Sequence, residues 1–333
     1  MPTQPAAPET PHLVVPYAHA SDPDCLAAAQ TRQLPQLERL LTTLAPCPPD
    51  TGSDQDWTPP HERALARALG LAPAQGPCPD GLLPWAAWTT PHSDTACAWF
   101  TPCHWQAGMD RLTVLPPESL ALSATDDTAL MDALAPFCVE DGIALSWHSP
   151  GRWLAQGPVF DGLRTASLDR VAHRRPDGWL PHSTDTAATR LISRLMNEAQ
   201  MLFYAHPVSD RRQAQGLPPI NGLWVSGAGR WSGNTTPTGA CAPEVLSDLQ
   251  TPALRGDWTA WGQAWTALDT RLQPWADRVQ AGQPLRLTLC GERHAQTWGP
   301  APRTAPGWWA RWRHARAQRR QVAPTWLSAL QTL

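Results

Sequence analysis

The chain has 333 residues, 42% of them hydrophobic and 17% charged, with a net charge of −3, which suits one large α/β domain carrying an inserted subdomain, or two domains. No segment approaches the roughly 18 consecutive apolar residues of a membrane span, so no membrane partner is expected. All 26 basic residues are arginines, and the absence of lysine excludes a Walker A phosphate loop and any lysine Schiff base.

The N-terminal sequence MPTQPAAPETPHLVV has neither the basic start nor the apolar core of a signal peptide. A cytoplasmic location is therefore expected. The eight cysteines contain no C-x-x-C pair, and in that location they are expected to remain reduced, as buried thiols.

The first predicted elements are one strand and two helices. The apolar segment His12–Tyr17 predicts a buried strand that is interrupted by Pro16. Pro35 fits the first turn of a helix, and one face of this helix would carry Leu37, Leu40, Leu41 and Leu44. Arg63–Leu69 predicts a second short helix.

The stretch Ala96–Val171 predicts a separate unit of β-β-α-β-β order. Its helix of about ten residues is expected to start at Asp126 or Asp127, because an Asp side chain fits the N-cap position. The strands are expected near Ala98–Phe100, Leu112–Leu115, Ile143–Trp147 and Trp153–Leu154.

The clearest helical pattern follows Asp185, where apolar residues repeat at i, i+1, i+4, i+5 and i+8 as far as Phe203. A polar turn, a rigid Gly-Leu-Pro-Pro segment and a short strand that stops at Gly227-Ala-Gly229 come next. A G-x-G sequence after a strand predicts backbone N–H groups at a sheet edge, where α/β folds hold anions.

The last third of the chain predicts a tryptophan-rich helix and a buried strand. In the helix Asp257–Gln273, Trp and Leu residues are spaced 3, 4, 3, 4, which is typical of a packed seam, and Pro274 is expected to end or kink it. The strand Leu285–Cys290 is expected to end at the same sheet edge as the G-x-G sequence. Helices are predicted for Trp308–Val322 and Thr325–Leu333.

The order helix, Arg, Gly-x-Pro-x-x-Asn, strand, G-x-G resembles the archaeal-type cofactor-independent phosphoglycerate mutases of the alkaline-phosphatase superfamily. It is still more similar to the RpfE-type proteobacterial regulatory family. Arg212, Gly216 and Asn221 match the mutase pattern, whereas Ser209 replaces an Asn.

This resemblance implies a three-layer α/β sandwich of the alkaline-phosphatase type. Residues 1–95 and 172–333 would form its discontinuous core, and residues 96–171 would form an inserted α+β subdomain. In the family, two strands of the inserted subdomain carry Arg. The first is missing here, and Arg152 matches the second.

Enzymes of this superfamily need two metal ions held by Asp and His, and here the matching positions have changed. Pro16 stands where the first strand supplies an Asp, and Glu292 and Arg293 stand where the last strand supplies Asp and His. Residues 230–284 contain no His. The sequence therefore predicts a pseudoenzyme with no cofactor, acting as a binding or regulatory protein.

The predicted ligand is a phosphorylated small molecule, with a protein partner as the other possibility. Arg and backbone N–H groups can hold a phosphate without activating a nucleophile. The predicted ligand-binding residues are Arg152, Arg211, Arg212, Asn221, Gly227, Gly229 and Arg293. The alternative interpretation is that Arg211, Arg212 and Asn221 only brace a turn.

Two alternatives remain open. The first is an active metal-dependent mutase or phosphatase that holds Mn or Zn with relocated ligands, namely His19, Asp22, Asp24, Glu292 and His294. The second is a nucleic-acid-binding protein that uses residues 303–333, in which Trp308, Trp309 and Trp312 alternate with arginines.

Overall fold

The structure is a computed structural model, and it describes residues 10–90, 95–107, 112–115, 120–172, 175–231, 233, 242–301 and 325–333. The chain divides into two compact units. The first consists of Met1–Asp54, Pro59–Gln75 and Thr235–Leu333, and the second of Gln55–Thr58 and Gly76–Asn234. Most of the second unit is thus inserted into the sequence of the first.

The strands of the described residues are β1 His12–Val15, β2 Ala45–Pro46, β3 Cys97–Ala107, β4 Leu112–Leu115, β5 Ala144–Ser149, β6 Arg152–Gln156, β7 Gly222–Gly229, β8 Glu244–Val245, β9 Arg286–Cys290 and β10 Ala295–Gly299. The helices are α1 Pro23–Gln30, α2 Pro35–Thr43, α3 Pro60–Leu69, α4 Trp85–Thr89, α5 Ala124–Glu140, α6 Leu168–Val171, α7 Thr186–Tyr204, α8 Pro207–Ala214, α9 Gln250–Leu254, α10 Trp258–Gln280 and α11 Thr325–Leu330.

The first unit is built on a five-stranded sheet of order β2-β10-β9-β1-β8. β1 runs parallel to β9 and β8, whereas β10 is antiparallel to β9 and β2. β9 and β10 therefore form a hairpin, and the turn between them lies at the carboxyl end of β1.

Alternation along β1 divides this unit into three layers. Leu13 and Val15 are buried in the core that α2 and α10 share, and Val14 packs on the other side with Ala64 and Leu65 of α3. Helices thus cover both faces of the sheet. The predicted α/β class and three-layer sandwich are confirmed.

The second unit is an α+β unit with an antiparallel sheet. β3 pairs with β4, β6 and β7, and β5 pairs with β6. Residues of α5 and α7 pack together with β3, β6 and β7 in one hydrophobic core. This unit contains the whole predicted subdomain 96–171, and it also includes α7, α8 and β7.

Two predictions about the second unit are corrected. Strand β7 pairs with β3, so the G-x-G sequence does not end at the same sheet edge as β9, and it lies inside the strand. The helix α5 starts after Ser123, whose hydroxyl accepts the N–H of Asp126 at 3.1 Å. Asp127 instead accepts the indole N–H groups of Trp147 and Trp153.

The two long helices begin as predicted. Asp185 accepts the N–H of Ala187 at 2.8 Å, and Asp257 accepts that of Ala260 at 2.9 Å. The tryptophan-rich helix α10 does not end at Pro274 but continues to Gln280. A proline inside a helix lowers its stability by about 3 kcal/mol. Here this cost is offset by the burial of apolar side chains before and after Pro274, namely Leu268, Leu272, Ala276 and Val279.

Within the part of the chain that the structure describes, no helix combines the length and the apolar character needed to cross a bilayer. The predicted helix Trp308–Val322 lies outside the described residues, as does most of the basic segment 303–333.

Candidate functional site

The carboxyl end of β1 is held in an unusual conformation. Tyr17 has φ +55°, in the left-handed region that non-glycine residues rarely adopt. The indole N–H of Trp261 donates to the carbonyl of Tyr17 at 2.9 Å, and that of Trp265 to the carbonyl of Ala18 at 3.3 Å. The backbone strain, on the order of 1 kcal/mol, is therefore supported by the seam of α10.

The side chain of His19 lies directly after this bend. Its Nε2 atom is buried and has no hydrogen-bond partner among the described residues. Burial lowers the pKa of His19, and Glu292 opposes this effect, so the imidazole is neutral near pH 7. A buried nitrogen left without a partner costs about 1–3 kcal/mol. Strain and an unsatisfied polar atom thus occur together at this strand end.

The turn between β9 and β10 contacts the same loop. The N–H of Ser21 donates to Oε2 of Glu292 at 3.1 Å, and Nη2 of Arg293 donates to Oγ of Ser21 at 3.1 Å. Arg293 also pairs with Asp54 at 3.3 Å, and their side chains are 43% and 70% exposed. Ion pairs this exposed contribute about 0–1 kcal/mol, so Arg293 can exchange Asp54 for another anion at little cost.

Helix α3 supports this turn from the side, a contribution that was not predicted. Nη2 of Arg63 donates to the carbonyl of Arg293 at 2.8 Å, and Nε of Arg63 pairs with Asp50 at 2.9 Å. Arg67, one helical turn later, pairs with the same carboxylate at 2.6 Å. The i, i+4 spacing of Arg63 and Arg67 was the sequence signal that they share a face.

The residues predicted as relocated metal ligands serve other purposes. Asp22 caps α1 by accepting the N–H of Asp24 at 2.8 Å, and Nδ1 of His294 accepts the N–H of Gly52 at 3.2 Å. His19, Asp22, Asp24, Glu292 and His294 do not supply three ligand atoms that converge within 4.8 Å. Pro16 offers no ligand atom at all. These residues do not fit a two-metal centre of the kind the resemblance implies.

The thiol of Cys25, close to this edge, is buried. Burial raises its pKa to about 11, and the carboxylates of Asp22 and Glu292 act in the same direction. The thiol therefore stays protonated near neutral pH, which disfavours a role as a nucleophile. All seven cysteines of the described residues have free thiols.

Arg211, Arg212 and Asn221, which were predicted to bind a ligand, lie in the second unit and make structural contacts. Arg212 is 2% exposed and donates from Nε to the carbonyl of Pro218 at 2.9 Å and from Nη2 to that of Leu120. Arg211 pairs with Asp126 on the surface. The side-chain amide of Asn221 bonds both the N–H and the carbonyl of Trp105, at 2.7 and 3.1 Å. These contacts are those expected of residues that brace a turn.

The two glycines of the G-x-G sequence allow close packing. Gly227 has φ +61°, and a β-carbon added there would lie 3.0 Å from Cβ of Trp85 and 3.1 Å from Cδ1 of Trp99. Gly229 has φ +144°, and a β-carbon there would lie 3.0 Å from Cβ of Pro84. β7 is thus pressed against α4 and the residue preceding it. The ligand-binding role of both glycines remains a prediction.

Arg152 lies at the start of β6, with its guanidinium carbon 5.4 Å from the ring centroid of Trp99. His148 stacks on the same ring at 4.6 Å. Arg293 is the one predicted ligand-binding residue that belongs to the first unit. The structure therefore does not place the predicted set on a single sheet.

The solved structures that resemble the chain include the following two. The PH0037 protein from Pyrococcus horikoshii aligns with a TM-score of 0.45 and 12% identity, over 89% of this chain and 88% of that chain. A cofactor-independent phosphoglycerate mutase from Thermoplasma acidophilum aligns with a TM-score of 0.33 and 13% identity, over 87% of this chain and 89% of that chain. No protein-family model matches the sequence, and no curated protein matches it significantly. These likenesses concern the fold alone.

Proposed function

We propose that the protein is a catalytically degenerate, phosphoglycerate-mutase-like binding protein with a regulatory role of the RpfE type. Its ligand is a phosphorylated small molecule, held where β1 and β9 end. The observation that carries this proposal is that the guanidinium of Arg293 is held in place and yet accessible to solvent. It is positioned by Ser21 and 43% exposed, and its carboxylate partner Asp54 is more exposed still.

The charge and geometry of this edge favour binding over turnover. A guanidinium holds a phosphate through two parallel hydrogen bonds, whereas it does not lower the pKa of a nucleophile as a metal ion does. Asp22, Glu292 and His294 are engaged in a cap and in turn contacts. A phosphate at Arg293 would replace the exposed ion pair with Asp54, which contributes only about 0–1 kcal/mol.

The strained loop supports a ligand at this position for a second reason. Residues in sparsely populated backbone regions and buried polar atoms without partners are concentrated at functional sites. Tyr17 has the rare backbone conformation, and His19 has the buried nitrogen without a partner. Both residues lie shortly before Ser21 in the chain. With its proton on Nε2, a neutral His19 could donate to a phosphate oxygen once the loop opens.

The binding half of the proposal can be tested with 3-phosphoglycerate. Trp261 and Trp265 contact the strained loop, so their fluorescence should report saturable binding. The variant Arg293→Gln should bind about tenfold more weakly, the effect of one lost charge-assisted contact. Arg271→Gln is the matched control, since Arg271 forms a comparable exposed pair with Asp248 in the same unit. Equal affinities for the two variants would refute a role for Arg293.

The degeneracy half needs a separate measurement. Purified protein should contain less than one equivalent of Mn or Zn by elemental analysis, and it should not interconvert 3- and 2-phosphoglycerate in the presence of added Mn. Stoichiometric metal together with turnover that a chelator abolishes would instead establish the active-enzyme alternative.

A further inference from the structure

The segment 325–333, called here the clamp segment, packs directly on the turn that carries Arg293. The N–H of His294 donates to the carbonyl of Leu333 at 3.2 Å, and the N–H of Gly291 donates to the carbonyl of His294 at 2.9 Å. The first hydrogen bond joins Leu333 to the turn Gly291–His294, and the second closes the turn itself.

Gly291 shows how close this contact is. A β-carbon added at Gly291 would lie 2.7 Å from both Cβ and the carbonyl oxygen of Leu333, which is closer than real β-carbons approach such atoms. Two of the three nearest atoms belong to the backbone of Leu333, so a rotamer change could not relieve the clash. The turn and the clamp segment therefore fit together only with glycine at this position.

The clamp segment is anchored at its other end by a different set of contacts. The carboxylate of Glu38 in α2 accepts the N–H groups of Thr325 and Trp326, at 3.1 and 2.9 Å, and so caps the start of α11. Trp326 and Leu330 are buried in the hydrophobic core of the first unit. Leu333 is buried as well, after two exposed residues.

We propose that the clamp segment positions the turn Gly291–His294 and thereby sets the affinity of the edge for its ligand. While Leu333 is seated, the turn is bonded both to the clamp segment and to α3, since Arg63 donates to the carbonyl of Arg293. When Leu333 leaves, the turn loses its hydrogen bond to the clamp segment, and Arg293 keeps only its contacts with Arg63, Ser21 and Asp54. The affinity part of this inference rests on the proposed function.

The two anchors predict a graded opening. Unseating Leu333 breaks one hydrogen bond to the turn and removes one leucine side chain from the core, whereas undocking α11 removes both Trp326 and Leu330 from the same core. Local openings that expose little surface need less free energy than those that expose a core. Leu333 should therefore unseat while α11 stays docked.

Hydrogen exchange measured by NMR tests the positional part without any ligand. In Gly291→Ala the amide of His294 should exchange about tenfold faster, the effect of one lost hydrogen bond. The amide of Ala295, bonded to the carbonyl of Asp50 at 2.8 Å, should keep its protection. Gly299→Ala is the matched control, because a β-carbon there would lie 3.7 Å from its nearest neighbour, at ordinary contact distance.

Glu38→Ala provides a second route, in case Gly291→Ala fails to fold. It removes the cap of α11 without touching the turn, and it should also accelerate exchange at His294. Unchanged exchange of the His294 amide in both variants would overturn the inference.

Titration of 3-phosphoglycerate then separates this inference from the proposed function. Weaker binding by Gly291→Ala than by Gly299→Ala supports both. Faster exchange with no binding even by the unaltered protein retains the clamp and rejects the ligand. Faster exchange with an unchanged dissociation constant rejects control of affinity by the clamp segment.

Discussion

Asp269, in the middle of α10, caps the start of a different helix by accepting the N–H of Leu37 at 2.8 Å. The same carboxylate accepts the N–H of Gln36, while Leu34, the residue at the N-cap position of α2, offers no side-chain oxygen. Asp269 is 5% exposed. A side chain more than 230 positions away in sequence thus supplies the cap that α2 lacks.

The first prediction concerns the charge of Asp269. Burial raises its pKa, and the N–H groups of Leu37 and Gln36 only partly oppose this. The folded-state pKa therefore lies above the unfolded value, so this carboxyl favours the fold most below pH 3.8, and less as the pH rises through its raised pKa. Asp269→Asn keeps the acceptor without the buried charge, so its stability at pH 7 should lie within about 0.5 kcal/mol of the parent or exceed it.

Asp269→Ala, in contrast, should lower the free energy of unfolding by about 1–2 kcal/mol, because two N–H groups lose their acceptor. Urea denaturation at pH 7 measures both variants. Equal losses for Asn and Ala would show that the ionic charge, and not the acceptor, stabilises α2.

A pH dependence is expected from His12, whose Nε2 bonds Oγ1 of Thr288 at 2.7 Å. Burial and nearby Arg286 lower the pKa of His12 from 6.5 to about 4. Its contribution to stability is therefore complete above pH 6.5 and is lost as the pH falls from 6.5 towards 4, by up to about 3 kcal/mol. His12→Gln should show a flatter pH profile in urea denaturation than the parent.

The sequence predicted the parts of the fold that depend on neighbours along the chain. The apolar period of α7 and the caps at Asp185 and Asp257 are local features, and the structure contains all of them. The partner of β7 is not local. A Gly-Ala-Gly end is compatible with a phosphate loop and with a strand pressed against a helix, and only the pairing with β3 distinguishes them.

The candidate site was predictable to a similar extent. The substitutions at Pro16, Glu292 and Arg293 are visible in the sequence, and they predict a changed site at the ends of β1 and β9. The left-handed Tyr17 and the contact between Gly291 and Leu333 are not visible there, because both depend on contacts between distant segments. Nor does the identity of an arginine reveal whether it faces solvent or, like Arg212, a backbone carbonyl.

The next prediction separates two roles of Gly227. Gly227→Ala should be destabilising because of the left-handed backbone and because of close contacts with Trp85 and Trp99. Gly142 has a similar φ of +71°, yet nothing lies within 4 Å of an added β-carbon. Gly142→Ala should therefore cost about 1 kcal/mol for strain alone, and Gly227→Ala about 2–4 kcal/mol. Similar thermal midpoints for the two variants, with loss of 3-phosphoglycerate binding in Gly227→Ala only, would restore the anion-loop interpretation.

The last prediction compares two adjacent arginines that the sequence assigned to one ligand site. Arg212 is buried against the carbonyls of Pro218 and Leu120. Burial lowers the pKa of its guanidinium, and the nearby carboxylate of Asp126 partly opposes this shift. Arg212→Lys cannot reach both carbonyls with the same geometry and should cost about 1–3 kcal/mol. Arg211→Gln loses only the surface pair with Asp126 and should cost less than about 1 kcal/mol.

Neither change should alter the affinity for 3-phosphoglycerate, since both residues already have acceptors in the second unit. Urea denaturation and fluorescence titration of the same preparations give the two readouts. A stable Arg212→Lys variant that no longer binds would contradict the bracing role, because a residue that only supports a turn can affect binding only through the fold.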